Sequence, residues 1–346
     1  MKNPEALPFF FIIGRPRSGT YLLRNMFDAH PNIIIPTEGP VIANLFPKYG
    51  RKTHWTEKDI KRFMADVFRH KDIQKWPLNK AELENSLLQC SGECTFHTLI
   101  KTVYLHFNSA FAKEDILLLG DKNPVYSTNT DKILKAFPDA RFIHLTRDYR
   151  DNLVSIRKVD FEAPYTPLIA YRWRHSAKLL QSLKEKQPGQ FFTLRYEDLV
   201  REPENSLQQV CQFLHIPFKD RMLTFYKKQP EAFAKHPDKE VKKYHQSLTS
   251  PVNTKKIGVW KKSLPEKAIK TADAVVGKFA ELSGYERKYR QTGFKTKIAS
   301  LPGIVYGKAS YLFADFLDIL PFRLRLRIKE AGSVLAILYN KLAGKT

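Results

Sequence analysis

The chain is 346 residues long, with 58 Lys and Arg against 35 Asp and Glu, for a formal charge of +23. Its 43% apolar and 12% aromatic content supplies a sizeable core and excludes a disordered chain, while the charge favours anionic partners: nucleotides, nucleic acid or an anionic membrane surface. The three cysteines (Cys90, Cys94 and Cys211) make no disulfide framework, and no second Cys/His pair turns Cys90 and Cys94 into a zinc site.

The first element is a short Phe/Ile run at 8–13 ended by Gly14, which predicts a buried strand. It is too short and too lightly flanked for a signal peptide, and no apolar run approaches the ~18 residues of a membrane span. The expectation is a cytoplasmic protein, soluble or peripheral at a membrane. A turn over 15–19 leads into a helix that Pro31 stops. Helical patterns fill 57–70, 80–89 and 95–112, and a second apolar strand at 116–119 ends at Gly120. A helix at 128–137 precedes a strand at 141–146, and Arg147 opens another helix. A long amphipathic helix over 167–186, a strand at 191–194 and a helix at 203–214 follow. Strands alternating with helices predict an α/β fold, a parallel sheet covered on both faces. Residues 228–263 read as an irregular surface segment and 265–282 as the last core helix. The expected division is one large domain over 1–286 and a basic, amphipathic helical C-terminal extension over 287–346.

Two strand-to-helix junctions carry the chemistry. Gly14-Arg-Pro-Arg-Ser-Gly19-Thr20 offers backbone N–H groups and a helix N-terminus to a phosphate. Its glycine spacing matches the nucleoside-triphosphate loop, but Thr20 stands where that motif has Lys, and the cation lies inside the loop at Arg17. A P-loop kinase or ATPase is therefore one reading, supported by an apolar run ending in Asp121. The second junction runs from Arg147 to Ser155, a charge and a hydroxyl two helical turns apart. Two anion sites suit a nucleotide phosphorylated at both 3′ and 5′ positions; the plainer alternative pairs Arg147 with Asp148 or Asp151. A nucleic-acid-binding protein would explain the charge, but no recognised module is present, so no specific nucleic-acid partner is expected.

Pro16-Arg-Ser-Gly-Thr20, Asp28-Ala-His-Pro31, Glu38, Asp121-Lys-Asn-Pro124, the stretch from Arg147 to Ser155, Tyr196-Glu-Asp-Leu199 and Pro251-Val-Asn253 with Trp260 stand in the order of a known family. Over about residues 8–265 the chain resembles the PAPS-dependent sulfotransferases (PAPS is 3′-phosphoadenosine 5′-phosphosulfate), most closely their tyrosylprotein branch. The resemblance implies a P-loop-like, doubly wound parallel sheet flanked by helices, sulfuryl transfer from PAPS to an acceptor hydroxyl with PAP as product, and no metal. It implies that Arg17 faces the 5′-phosphosulfate with the backbone around Ser18, Gly19, Thr20 and Tyr21. Charge on the leaving phosphate would be stabilised by Arg17 and by Lys122. Glu38, 21 positions after Arg17, stands where that branch has its catalytic Glu and takes the acceptor's proton; His97 and His106 are rivals on the histidine pattern of other sulfotransferases. The resemblance further implies that Arg147 and Ser155, helped by Arg157, hold the 3′-phosphate and that Tyr196 lies near the adenine.

The sequence departs from the pattern in three places. Val259 replaces the lysine expected before Trp260, leaving Lys255, Lys256 or Lys261 to substitute. Pro36 and Gly120 replace cysteines of the secreted branch, and its N-terminal anchor is not seen, which weakens protein tyrosine as the acceptor. Residues 291–346 hold nine Lys/Arg against three Asp/Glu among apolar stretches. Such segments lie in a membrane interface or pack on the enzyme. The expected acceptor is accordingly a lipid, a sterol-like molecule or another small alcohol.

Overall fold

The structure is a computed structural model and describes residues 3–228, 231 and 246–342; most of the Lys-rich stretch at 229–245 lies outside the described residues. The run Phe9–Ile13 forms β1, with all of its side chains buried, as a strand covered on both faces requires. Ile33–Ile34 is β2, His54–Trp55 β3, Gly92–Glu93 β4, Leu118–Lys122 β5, Arg141–Thr146 β6 and Phe191–Arg195 β7. The main sheet has the order β2-β5-β1-β6-β7, in which β1 runs parallel to β5 and β6, and β2 parallel to β5. Helices separate these strands along the chain, so the α/β expectation holds. β3 and β4 form a separate antiparallel pair.

The differences from the sequence reading have identifiable causes. The strand expected at 116–119 is β5, which starts at Leu118 and continues through Asp121 and Lys122. The pattern of apolar residues ends at Leu119, but pairing of Phe11 with Asp121 and Ile12 with Lys122 carries the strand on. β2 is two residues long and carries no readable period. The Val41–Tyr49 helix was not expected, having Pro47 inside it. The helix at 57–70 is Glu57–Val67, opened by a reciprocal Thr56–Asp59 capping box. That at 95–112 is shorter, Phe96–Leu105, capped by the Thr95 side chain. The helix at 265–282 breaks at Gly277, with φ of 60°, into Glu266–Val276 and Phe279–Leu282.

The chain forms two compact units. The first comprises the residues up to Gly14, Gly19–Leu145 and Leu183–Asn253. It holds the sheet and a core in which Phe10, Ile12, Leu23, Phe27, Ile143 and Leu207 are buried. The second comprises Arg15–Ser18, Thr146–Ser182 and the chain from Thr254 onward. Its own core gathers Tyr149, Leu153, Ile169, Trp173, Ile269 and Val276. The C-terminal stretch is helical, Phe294–Leu317 and Phe322–Leu342. Among the described residues, no helix is long and apolar enough to cross a membrane.

Candidate active site

The Thr20–Asp28 helix begins one residue after Gly19, whose φ of 96° is left-handed. A β-carbon at Gly19 would stand 2.5 Å from Cδ2 of Tyr196, so the position excludes any side chain on two counts. Tyr196, itself buried, is thereby packed against the start of this helix. First-turn amides and the positive end of the helix dipole make that terminus attractive to an anion.

In the second unit, Arg17 adopts a left-handed backbone with φ of 67°. Its Nε donates to Ser155 Oγ at 3.1 Å, joining two residues that the sequence assigned to separate phosphates. Arg147 is buried and donates from Nη1 to the carbonyl of Arg17 at 3.0 Å and from Nη2 to that of Lys256 at 2.7 Å. Asp148 holds Arg150 through both oxygens, at 2.9 and 2.8 Å. Asp151 accepts from the amides of Gly258 at 2.7 Å and Trp260 at 2.9 Å. The Lys256 ammonium is held below the ordinary lysine range, first by desolvation and then by the charges of Arg17 and Arg147. Of the lysines offered for the donor loop, the structure therefore brings Lys256 into this cluster. All three, Lys255, Lys256 and Lys261, are exposed, and Lys256 is set apart by the Arg147 bond to its carbonyl. Arg157 donates from Nη2 to Thr166 Oγ1 at 2.6 Å.

Asn152 was missed by the sequence reading, and Asp151 was named there only as an alternative partner for Arg147. Asn152 donates to the carbonyl of Pro16 at 2.8 Å and so fixes the loop before Arg17. Asp151, by its two amide bonds, fixes the segment carrying Lys256. Their only sequence signal was position within the 147–155 stretch.

In the first unit, Lys122 closes β5 and is fully buried, so it is not an ordinary surface lysine. Its ammonium bonds the Glu38 carboxylate and lies 4.4 Å from the centre of the Tyr21 ring. Burial holds the ammonium below the usual lysine range, opposed by the Glu38 charge. The Glu38 side chain is 46% exposed, so the pair presents a solvent-reachable carboxylate on a buried cation.

Behind the pair, Asp121 is buried beside Tyr104 and Tyr126; burial pushes its carboxyl up to about 7, and the Tyr126 and Tyr104 hydroxyls partly offset that. Arg24 was also missed. From inside the Thr20–Asp28 helix its guanidinium reaches the carbonyls of Ile35 (2.6 Å, Nη2) and Pro36 (3.2 Å, Nε) and the Asp28 carboxylate (3.0 Å). It thereby pins the segment leading to Glu38. An arginine within an amphipathic helix gives no sequence sign of such a role.

The rival histidines are engaged otherwise. His97 donates to the carbonyl of Ala136. His106 donates from Nδ1 to the carbonyl of Thr102 at 2.9 Å and its Nε2 meets Ser86 Oγ at 3.1 Å. The Asp28–Pro31 motif is scaffold: Asp28 also binds Ser109 at 2.7 Å, and His30 donates to the carbonyl of Pro217 at 2.8 Å.

A sequence profile of the sulfotransferase family matches residues 8–220. The chain is 24% identical over 294 residues to the protein-tyrosine sulfotransferase of Drosophila melanogaster, covering 82% of this chain and 52% of that one. It is 25% identical over 271 residues to protein-tyrosine sulfotransferase 1 of Danio rerio, covering 75% and 68%. The chain thus spans about half the length of the first relative. Among solved structures, the sulfotransferase domain of the Synechococcus PCC 7002 olefin synthase matches with a TM-score of 0.53 at 21% identity, over 82% of this chain and 98% of that domain. That is a likeness of fold.

Proposed function

The chain belongs to the sulfotransferase family, and from that premise we propose that it transfers a sulfuryl group from PAPS to an acceptor hydroxyl. The observation that carries the reading is the Arg17–Ser155 hydrogen bond with Arg147 on the Arg17 carbonyl, since all three were assigned to the donor's phosphates. Lys256 adds a third basic group to that cluster, and Arg157, Lys255 and Tyr196 complete the proposed donor contacts. The Ser18, Gly19, Thr20 and Tyr21 backbone binds the 5′-phosphosulfate.

Glu38 accepts the proton of the acceptor hydroxyl as its oxygen attacks sulfur, and carries it away from the forming ester. Lys122 meets the charge that grows on the leaving phosphate oxygen, as does Arg17. The ion pair with Lys122 holds that carboxylate in place until the hydroxyl arrives. The acceptor in this reading is a lipid, sterol-like or other small alcohol. The similarity to protein-tyrosine sulfotransferases favours a second reading, a peptide tyrosine.

Calorimetry with 3′,5′-ADP and with ATP, each in excess EDTA and again with magnesium, tests the donor. The expected result is binding of 3′,5′-ADP alone; ATP binding that demands magnesium would replace the proposal with a P-loop kinase or ATPase. A labelled-PAPS assay on lipid, glycan and peptide fractions then decides the acceptor.

A further inference from the structure

The Phe294–Leu317 helix packs on the second unit with its small residues. Ser300, Gly303 and Gly307 are buried, and a β-carbon at Gly307 would stand 2.3 Å from the Tyr171 ring. Farther along the same face, the ring of Tyr311 stacks on His175 with centroids 4.3 Å apart. The large apolar residues lie on the opposite side. Phe294, Ile298, Leu301, Val305, Leu312 and Phe316 are 48% to 77% exposed, and their spacings of four, three, four, seven and four place them in one stripe. A helix of a soluble domain ordinarily turns this stripe to the core; here it faces out.

The charges flank it. At about 100° per residue, exposed Lys297 and Lys308 border one side of the stripe, with exposed Asp315 on that same side near its end, and exposed Lys295 borders the other. The following helix, Phe322–Leu342, opens with exposed Arg323 and Arg327. Asp318, between the helices, is already neutralised by Lys329 at 3.0 Å and Arg325 at 3.5 Å. An apolar face rimmed by three lysines against one aspartate, on a helix not apolar enough to span, matches an interfacial segment on anionic lipid.

We propose that this C-terminal helix pair docks the protein on an anionic bilayer surface, with the Phe294–Phe316 stripe seated at the acyl boundary and the lysines at the headgroups. The inference is independent of the donor assignment, because none of these residues belongs to the proposed active site. Charge complementarity selects lipid over a second copy of the chain, whose matching face would bring the same cations together.

The test is co-sedimentation of the full chain with phosphatidylcholine vesicles, with and without a quarter of phosphatidylglycerol. Binding to the anionic vesicles that weakens with added salt is expected. Leu301→Asp with Leu312→Asp should cut the partition coefficient by about tenfold or more. Lys297→Glu with Lys308→Glu, at exposed positions that leave the packing untouched, should cut it on anionic vesicles only. The idea fails if the wild-type chain stays in the supernatant at low salt. It fails equally if the chain is a dimer that the aspartates dissociate without any vesicle binding, for the stripe would then join two copies.

Discussion

Lys122 and Arg147 are both buried cations at the carboxyl ends of parallel strands, yet they are anchored in different ways. The Lys122 ammonium meets a half-exposed side-chain carboxylate and an aromatic face. The Arg147 guanidinium meets two backbone carbonyls, those of Arg17 and Lys256. A carboxylate can gain a proton or lose its partner during a reaction, whereas a peptide carbonyl does neither. The first arrangement therefore suits a charge that must respond to chemistry, and the second a frame that holds a loop and its ligand.

The sharpest way to break this contrast is Glu38→Gln. It keeps shape but accepts no proton, so turnover should fall by roughly 10²–10⁴ while 3′,5′-ADP affinity stays near wild type. Near-normal turnover in that variant, with His97→Ala or His106→Ala inactive, would move the base to a histidine. Arginine variants sharpen the other side. Arg17→Ala should lower single-turnover rates by on the order of 10²–10³ with a smaller loss of 3′,5′-ADP binding. Arg147→Ala should show the reverse, losing about 1.5–3 kcal/mol of that binding, the range for a charged hydrogen bond. Two variants with the same ratio of rate loss to affinity loss would erase the distinction.

The most gradual effect concerns Asp121, next to Lys122. Between its ordinary value of 3.8 and about 7, the folded chain keeps this proton and the unfolded chain releases it. Stability from this group is therefore present below that window and falls as pH rises through it, by at most ~1.4 kcal/mol per pH unit. Urea denaturation across this range should show a shallower decline for Asp121→Asn than for wild type. Parallel curves would mean that Asp121 titrates alike in both states.

The two sides of the contrast were unequally legible in the sequence. β1 and β6 announce themselves as apolar runs, and the phosphate loop follows from Gly14 and Gly19 between a strand and a helix. The stretch from Arg147 to Ser155 was readable as a unit because it lies within a single junction and the helix it opens, Tyr149–Ile156. Lys122 was readable as a residue but not as part of a strand, since pairing to β1, not its own polarity, makes Asp121 and Lys122 extended. The roles of Arg24 and Asp151 were illegible because each acts on backbone groups of another segment, eleven and 107 residues on. No local period encodes such a contact. The outward stripe on Phe294–Leu317 was visible as a pattern, but its direction depends on where Gly303 and Gly307 pack.

Arg17 carries a cost that no neighbour removes. A left-handed backbone at a residue with a β-carbon is disfavoured by on the order of 1 kcal/mol, and glycine would relax it. Glycine would also delete the guanidinium that reaches Ser155. At this one position foldedness and reactivity ask for opposite residues, so selection for thermal robustness alone would drift toward a sturdier and slower protein. A laboratory screen that reads only melting temperature would choose the wrong variant there.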